Sequence, residues 1–301
     1  MKRIRFSVLL IFLTCFLAGR AVAGPLADFV NTPDPHYAYE VTGRYDGDRY
    51  STHFVRMTSQ SWREGDATPH IWKHWLSIYV PENLQQKEAL LRIQGGKHTD
   101  DQPAPEHQWA TIAVVTRSIV AVLETVPNQP LVFTGQEKGL VEDEIIALTF
   151  KYFSETQDPT WPLLFPMVKS VVKAMDTVQD FAATKLDRPA AVDQFVLTGF
   201  SKRGWTTWLT GAVDPRVKGI VPIVIDVLNM KPQMEYQKFS YGGYSQEVED
   251  YSELDLMGLL TSREGKPLLE LVDPYEYRES LTIPKLVMLG ISPVLFRISS
   301  S

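Results

Sequence analysis

Hydrophobic and polar positions along this chain follow two periods, and the switch between them divides it. Residues 37–42 and 49–58 alternate, the second run through Tyr50, His53, Val55 and Met57, and 72–80 adds a third apolar run that stops at Pro81. Alternation of this kind marks half-buried strands, so the chain is expected to open with antiparallel β structure. A short β run at 89–93 (Ala-Leu-Leu-Arg-Ile) ends at Gly95-Gly96. Over 106–117 the spacing changes to threes and fours, with Trp109, Ile112, Ala113 and Thr116 on one side of a helix. Residues 118–123 are apolar almost throughout, as in a strand covered on both faces of a parallel sheet.

The same alternation of helix and strand continues. Residues 141–153 predict a helix whose first turn carries Glu142, Asp143 and Glu144, at the positive end of its dipole. Residues 164–182 predict a long helix with Val168, Val171, Val172, Met175, Val178 and Phe181 on one face. A strand at 195–198, a helix at 205–213 and a strand at 219–225 ending at Asp226 complete the series. The expected class is α/β: a doubly wound, mostly parallel sheet behind antiparallel N-terminal strands. Residues 229–280 break the rhythm with tyrosines, methionines, acids and Gly242-Gly243, and predict a lid-like insertion over the carboxyl edge of the sheet. Ordinary aromatic packing accounts for them equally well. Residues 285–289 return to a β run.

The stretch around Ser201 carries the chemistry. Phe195-Val196-Leu197-Thr198-Gly199-Phe200-Ser201-Lys202-Arg203-Gly204-Trp205 runs from apolar strand through Gly-x-Ser into a helix. A nucleophile elbow is written this way: a sharp turn lifts a serine hydroxyl above the sheet. Small residues are wanted two before and two after the serine. Gly199 meets the first demand, whereas Arg203 occupies the second place with Gly204 one residue late.

The amino terminus adds an address. Met1-Lys2-Arg3-Ile4-Arg5 is basic, residues 6–18 form an apolar run short for a bilayer, and Ala21-Val22-Ala23 gives an A-x-A cleavage site. Residues 1–23 therefore read as a secretory signal peptide, with 24–301 as one domain and no stable membrane anchor after cleavage. Removing them takes away Lys2, Arg3, Arg5 and Arg20 and leaves 26 basic residues against 36 acidic, a net of −10. It also removes Cys15, the only cysteine, so the exported chain has no disulfide and depends on its core. The acidic balance excludes a nucleic-acid surface, and no phosphate-cradling Gly-rich motif is present. No cofactor is expected. His70 and His74 are four apart but lack the following Glu of a zinc-protease helix, so no metal is expected either.

Several motifs resemble the PhoPQ-activated pathogenicity-related protein family: Val126-Pro127-Asn128-Gln129-Pro130-Leu131, Asp158-Pro159-Thr160-Trp161-Pro162-Leu163-Leu164, Ala174-Met175-Asp176-Thr177-Val178-Gln179, the Ser201 stretch, and Asp226-Val227-Leu228-Asn229-Met230. The resemblance covers about 35–290. It implies an exported protein, periplasmic or secreted, with an α/β-hydrolase fold and a link to virulence. The family also includes the autocrine proliferation repressor proteins, which are secreted signals, so it implies no settled substrate.

On that fold Ser201 would attack an ester or peptide carbonyl once a base takes its proton. The oxyanion would be met by the backbone N–H of Lys202 and by the loop at Gly95 and Gly96, for which a plain turn is the alternative. One such donor is worth about 3–4 kcal/mol of barrier. The order of parts is serine, acid, then histidine. All six histidines (His36, His53, His70, His74, His98, His107) precede Ser201, and residues 290–301 hold no carboxylate. Asp226 is a possible alternative acid, and His98 a remote candidate base from the oxyanion loop. The chain is expected to leave the family pattern after about Gly290, with 291–301 an atypical tail and the last strands missing. Three functions stay open: a serine hydrolase whose site is incomplete in this chain, a non-catalytic secreted binding or signalling protein, or an inactive truncated remnant. In the last case the strand at 285–289 would be an exposed edge prone to aggregation.

Overall fold

The computed structural model describes residues 24–244 and 249–289. The predicted signal peptide and its cleavage site after Ala23, and the tail from Gly290 onward, lie outside the described residues.

A short helix comes first, α1 (Pro25–Asn31). The hydrophobic pattern predicts no element here. Pro25 opens the helix, where its missing N–H costs nothing, and Leu26, Ala27 and Val30 are buried. The antiparallel strands follow as expected: β1 (Ala38–Gly47), β2 (Tyr50–Ser61) and β4 (Ile71–Pro81). The remaining strands of the large sheet are β5 (Glu88–Ile93), β6 (Val120–Leu123), β8 (Gln194–Phe200) and β9 (Val217–Ile223). Their order is β1-β2-β4-β6-β5-β8-β9. Pairing is antiparallel from β1 to β6 and parallel across β6, β5, β8 and β9. A two-stranded ribbon of β3 (Ala67–Thr68) and β7 (Val132–Phe133) was not foreseen.

Four helices clothe the sheet: α2 (His107–Thr116), α3 (Asp143–Thr156), α4 (Leu164–Thr184) and α5 (Lys202–Val213). Alternate residues of β6 show the two faces. Ala121 and Leu123 join the large core with α3, α4 and α5, whereas Val120 and Val122 join Tyr79, Ala110 and Ala113 in a smaller cluster beneath α2. The large core is packed with fully buried Trp72, Phe150, Phe165, Phe181 and Phe195. At about 25 cal/mol for each Å² of apolar surface removed from water, it is the main stabilising element of the chain.

The insertion is helical: α6 (Met230–Tyr241), α7 (Glu249–Glu253), α8 (Leu256–Thr261) and α9 (Lys266–Val272), then a 3-10 turn at Pro274–Tyr277. It is fastened at both ends. The buried Asp273 carboxylate accepts from the backbone N–H groups of Asn229, Met230 and Tyr275. Trp205 of α5 donates its indole N–H to Val272 O at 2.6 Å, and Tyr251 donates to Asp143 of α3 at 3.2 Å. The β run expected at 285–289 lies parallel to β9, joined to it by Leu286 N–H to Ile220 O at 3.0 Å, Met288 N–H to Pro222 O at 3.1 Å and Val224 N–H to Met288 O at 2.7 Å.

Register places the parallel strand ends side by side. Ile93 lies opposite both Leu123 and Gly199, and Phe200 lies opposite Ile223. The residues that follow these strands therefore share one rim, the carboxyl edge where ligands bind in sheets of this type.

Candidate active site at the Ser201 turn

Ser201 sits between β8 and α5 with φ 52° and ψ −127°. A non-glycine residue in this region is held there against its preference at a cost of about 1–3 kcal/mol. The turn is pinned on both sides: the Ser201 N–H donates to Ile223 O at 2.9 Å, and Trp205 N–H donates to Ser201 O at 3.0 Å. A Cβ on Gly199 would run into the main chain of Arg203. A Cβ on Gly204 would lie 2.5 Å from Ile225 Cγ2 and 3.0 Å from Gly199 O. The second small residue is therefore needed at 204, three after the serine, and not at 203 where the spacing rule put it.

Arg203 has a different task. Its Nε donates to Val126 O at 2.6 Å, and its Nη1 and Nη2 donate to the two carboxylate oxygens of Glu142, each at 2.7 Å. Lys202 Nζ lies 2.8 Å from Glu142 and 2.9 Å from Asp143. Both cations are more than nine-tenths buried, and burying a charge is tolerable only with a partner in good geometry. Burial alone would raise the Glu142 carboxyl, but Arg203 and Lys202 outweigh it and hold the group down at about 2.

Glu142 is also tied to the loop after β6. Its N–H donates to Gln129 Oε1 at 2.8 Å, and Gln129 Nε2 donates to Glu142 Oε1 at 2.6 Å and to Gly96 O at 3.2 Å. Gly95 and Gly96 are linked to the serine turn through this cluster. Gly96 has φ +119°, a conformation that favours glycine. A Cβ on Gly95 would overlap the Arg203 guanidinium. Lys202 opens α5, so its N–H has no acceptor within the helix.

The other candidates have partners of their own. Asp226 is exposed and accepts from Gln233 Nε2 at 2.8 Å. His98 is exposed, and its N–H donates to Gln129 O at 2.7 Å. His74 is fully buried, with Nδ1 3.1 Å from both Glu124 O and Thr125 O and Nε2 2.9 Å from the Ser59 hydroxyl. Carbonyls only accept, so Nδ1 carries the hydrogen and Nε2 accepts from Ser59. Burial pushes this imidazole down to about 4. His36, His53, His70 and His107 bond to Asp34, Ser51, Ser61 and Thr111. Among the described residues, no imidazole is hydrogen-bonded to Ser201.

Among the described residues no cluster of three His, Cys, Asp or Glu is placed to hold a metal ion, and no helix is long and apolar enough to cross a membrane. A cleft of about 610 Å³ lined by Arg44, Tyr50, His53, Lys87 and Arg188 lies at the amino edge of β5, the opposite rim from Ser201. None of the elbow residues line it.

Sequence reasoning missed Glu142 and Gln129 as site residues and treated Arg203 as a misfit. The available signal was the Lys202-Arg203 pair itself: two cations in the first turn of a buried helix require nearby carboxylates.

Comparison with known proteins agrees with this architecture. Residues 26–300 match the model of the PhoPQ-activated pathogenicity-related protein family; the match runs beyond Gly290, where the sequence reading placed a departure. The autocrine proliferation repressor protein A of Dictyostelium discoideum is 37% identical over 282 residues, covering 92% of this chain and 56% of that protein. The chain thus spans a little over half the length of this relative. Among solved structures, an acetyl xylan esterase from Paenibacillus sp. R4 superposes with a TM-score of 0.55 at 12% identity, covering 89% of this chain and 86% of that one. At that identity the likeness is one of fold, and the fold is that of the α/β-hydrolases. The chain belongs to the PhoPQ-activated pathogenicity-related protein family.

Proposed function

We propose that this is an exported protein whose Ser201 is the nucleophile of an ester or peptide hydrolase site. The observation that carries the reading is the backbone of Ser201, held at φ 52° on the carboxyl rim between a parallel strand and a helix. In the reaction Ser201 Oγ bonds to the substrate carbonyl carbon, its proton passes to a base, and the alcohol or amine leaves. Water then releases the acid and restores the serine. In this reading the Lys202 N–H, at the start of α5, and the Gly95-Gly96 loop meet the oxyanion. The described residues supply no base, so the reading is tested with imidazole added to the solvent. A fluorophosphonate probe should label the wild type, faster with imidazole, and leave Ser201→Ala unlabelled. A well-folded wild type that stays silent under both conditions contradicts the reading.

A second reading, a secreted binding or signalling protein that uses the fold without catalysis, is favoured by one observation. Five of the six histidines hydrogen-bond through their rings to side chains other than Ser201. The two separate on the same labelling experiment.

A further inference from the structure

Two rigid pieces must be held in register for an oxyanion site on this rim. One is the turn at Ser201 with the first residues of α5. The other is the loop that leaves β5 at Gly95-Gly96. Strand pairing sets their relation only as far as Ile93 and Gly199; beyond that point no backbone ladder joins them. Side chains join them, and the one that reaches both is Glu142, at the N-cap of α3.

We propose that Glu142 is the positioning residue of the site, holding the Gly95-Gly96 loop against the Ser201 turn so that the loop's N–H groups face a developing oxyanion. Toward the turn, its carboxylate takes both Nη atoms of Arg203 and the Nζ of Lys202, the residues directly after the serine. Toward the loop, it clasps the Gln129 amide on both edges, and Gln129 in turn holds Gly96 O and, through its own carbonyl, the His98 N–H. Arg203 lies so close to Gly95 that no side chain fits there. The same stretch is laced to the loop after β6 by Thr125 N–H to Gly95 O and Val126 N–H to Gln94 O, each at 3.0 Å, while Arg203 Nε grips Val126 O. Glu142 itself has φ 54° and ψ −124°, close to the backbone of Ser201. Two such rare conformations joined by one ion-pair network fit a built site, because strained residues persist only where their surroundings over-determine them.

This inference rests on the serine-hydrolase reading for its purpose but not for its geometry, and the experiment separates the two. Hydrogen exchange is followed at the amides of His98, Thr125 and Val126 in the full 301-residue chain, for wild type, Glu142→Gln and Gly95→Ala, with the β2–β4 amides as internal reference. Both variants are expected to speed exchange at these three amides by about tenfold or more while the reference amides hold. Gly95→Ala reaches the same result by displacing Arg203 and keeps the test open if Glu142→Gln folds poorly. Imidazole-assisted hydrolysis of p-nitrophenyl acetate is measured in parallel. Glu142→Gln should lower kcat about tenfold to a hundredfold at little change in KM, with Arg203→Lys partly retaining the rate. Unchanged exchange at the three amides in folded variants overturns the proposal. Accelerated exchange in a protein whose wild type hydrolyses no faster than Ser201→Ala would sink the hydrolase reading and leave the clamp standing.

Discussion

Arg203 crosses Gly95 where no Cβ can be accommodated, with its guanidinium fixed on Glu142 at 2.7 Å through both Nη atoms. The long side chain is pinned at three nitrogens, so it has little freedom to step aside. Gly95→Ala should therefore cost about 1–3 kcal/mol, the usual penalty for overpacking. The urea midpoint should fall with an unchanged m-value, and an Arg203→Ala background should remove most of the effect.

The glycines of the turn should be stricter. At Gly199 the obstacle is the Arg203 main chain, which cannot rotate away. Gly199→Ala should destabilise more than Gly95→Ala in the same urea titration, and Gly204→Ala should also do so because Ile225 and the Gly199 carbonyl block it.

Ser201 supplies a stability test independent of catalysis. Its φ of 52° costs an alanine as much as a serine, whereas glycine pays little. Ser201→Gly should be at least as stable as Ser201→Ala by thermal unfolding, despite the extra entropy of glycine in the unfolded chain.

Two buried groups set the pH dependence. His74 is pushed down from 6.5 to about 4 by burial, so the folded state binds fewer protons than the unfolded one between these values. Its contribution is intact above about 6.5 and is lost as pH falls toward 4. Glu142, held from 4.5 down to about 2, against its burial, by Arg203 and Lys202, contributes above about 4.5 and loses that contribution as pH falls toward 2. Urea midpoints against pH should flatten in the upper window for His74→Gln and in the lower window for Glu142→Gln.

How far the sequence led follows from which contacts are local. The strand, turn and helix around Ser201 were legible because an apolar run, Gly199 and the following helix are contiguous. Helix α1 has only seven residues, too few for a helical period to show, and Pro25 at its start is its one local signal. The Glu142 clamp was not legible. Its partners Gln129 and Arg203 are 13 and 61 residues away, and the cluster of acids at the start of α3 read equally well as dipole compensation. At 285–289 the apolar pattern predicts a strand, and the structure lays this segment parallel to β9 with backbone hydrogen bonds at Leu286 and Met288.

That edge carries its own expectation. Leu286, Val287, Met288 and Leu289 are 42–59% exposed in a row, and among the described residues no strand pairs with their outer side, an apolar edge of the kind that associates. The wild type should show concentration-dependent association by sedimentation, reduced in Val287→Lys.

The most direct measurement of the central claim is fluorophosphonate labelling of the folded 301-residue chain with and without imidazole, read by intact mass. The account predicts a single adduct on Ser201 that forms faster with imidazole and is absent from Ser201→Ala. A folded wild type that forms no adduct, or an adduct that survives in Ser201→Ala, would contradict it.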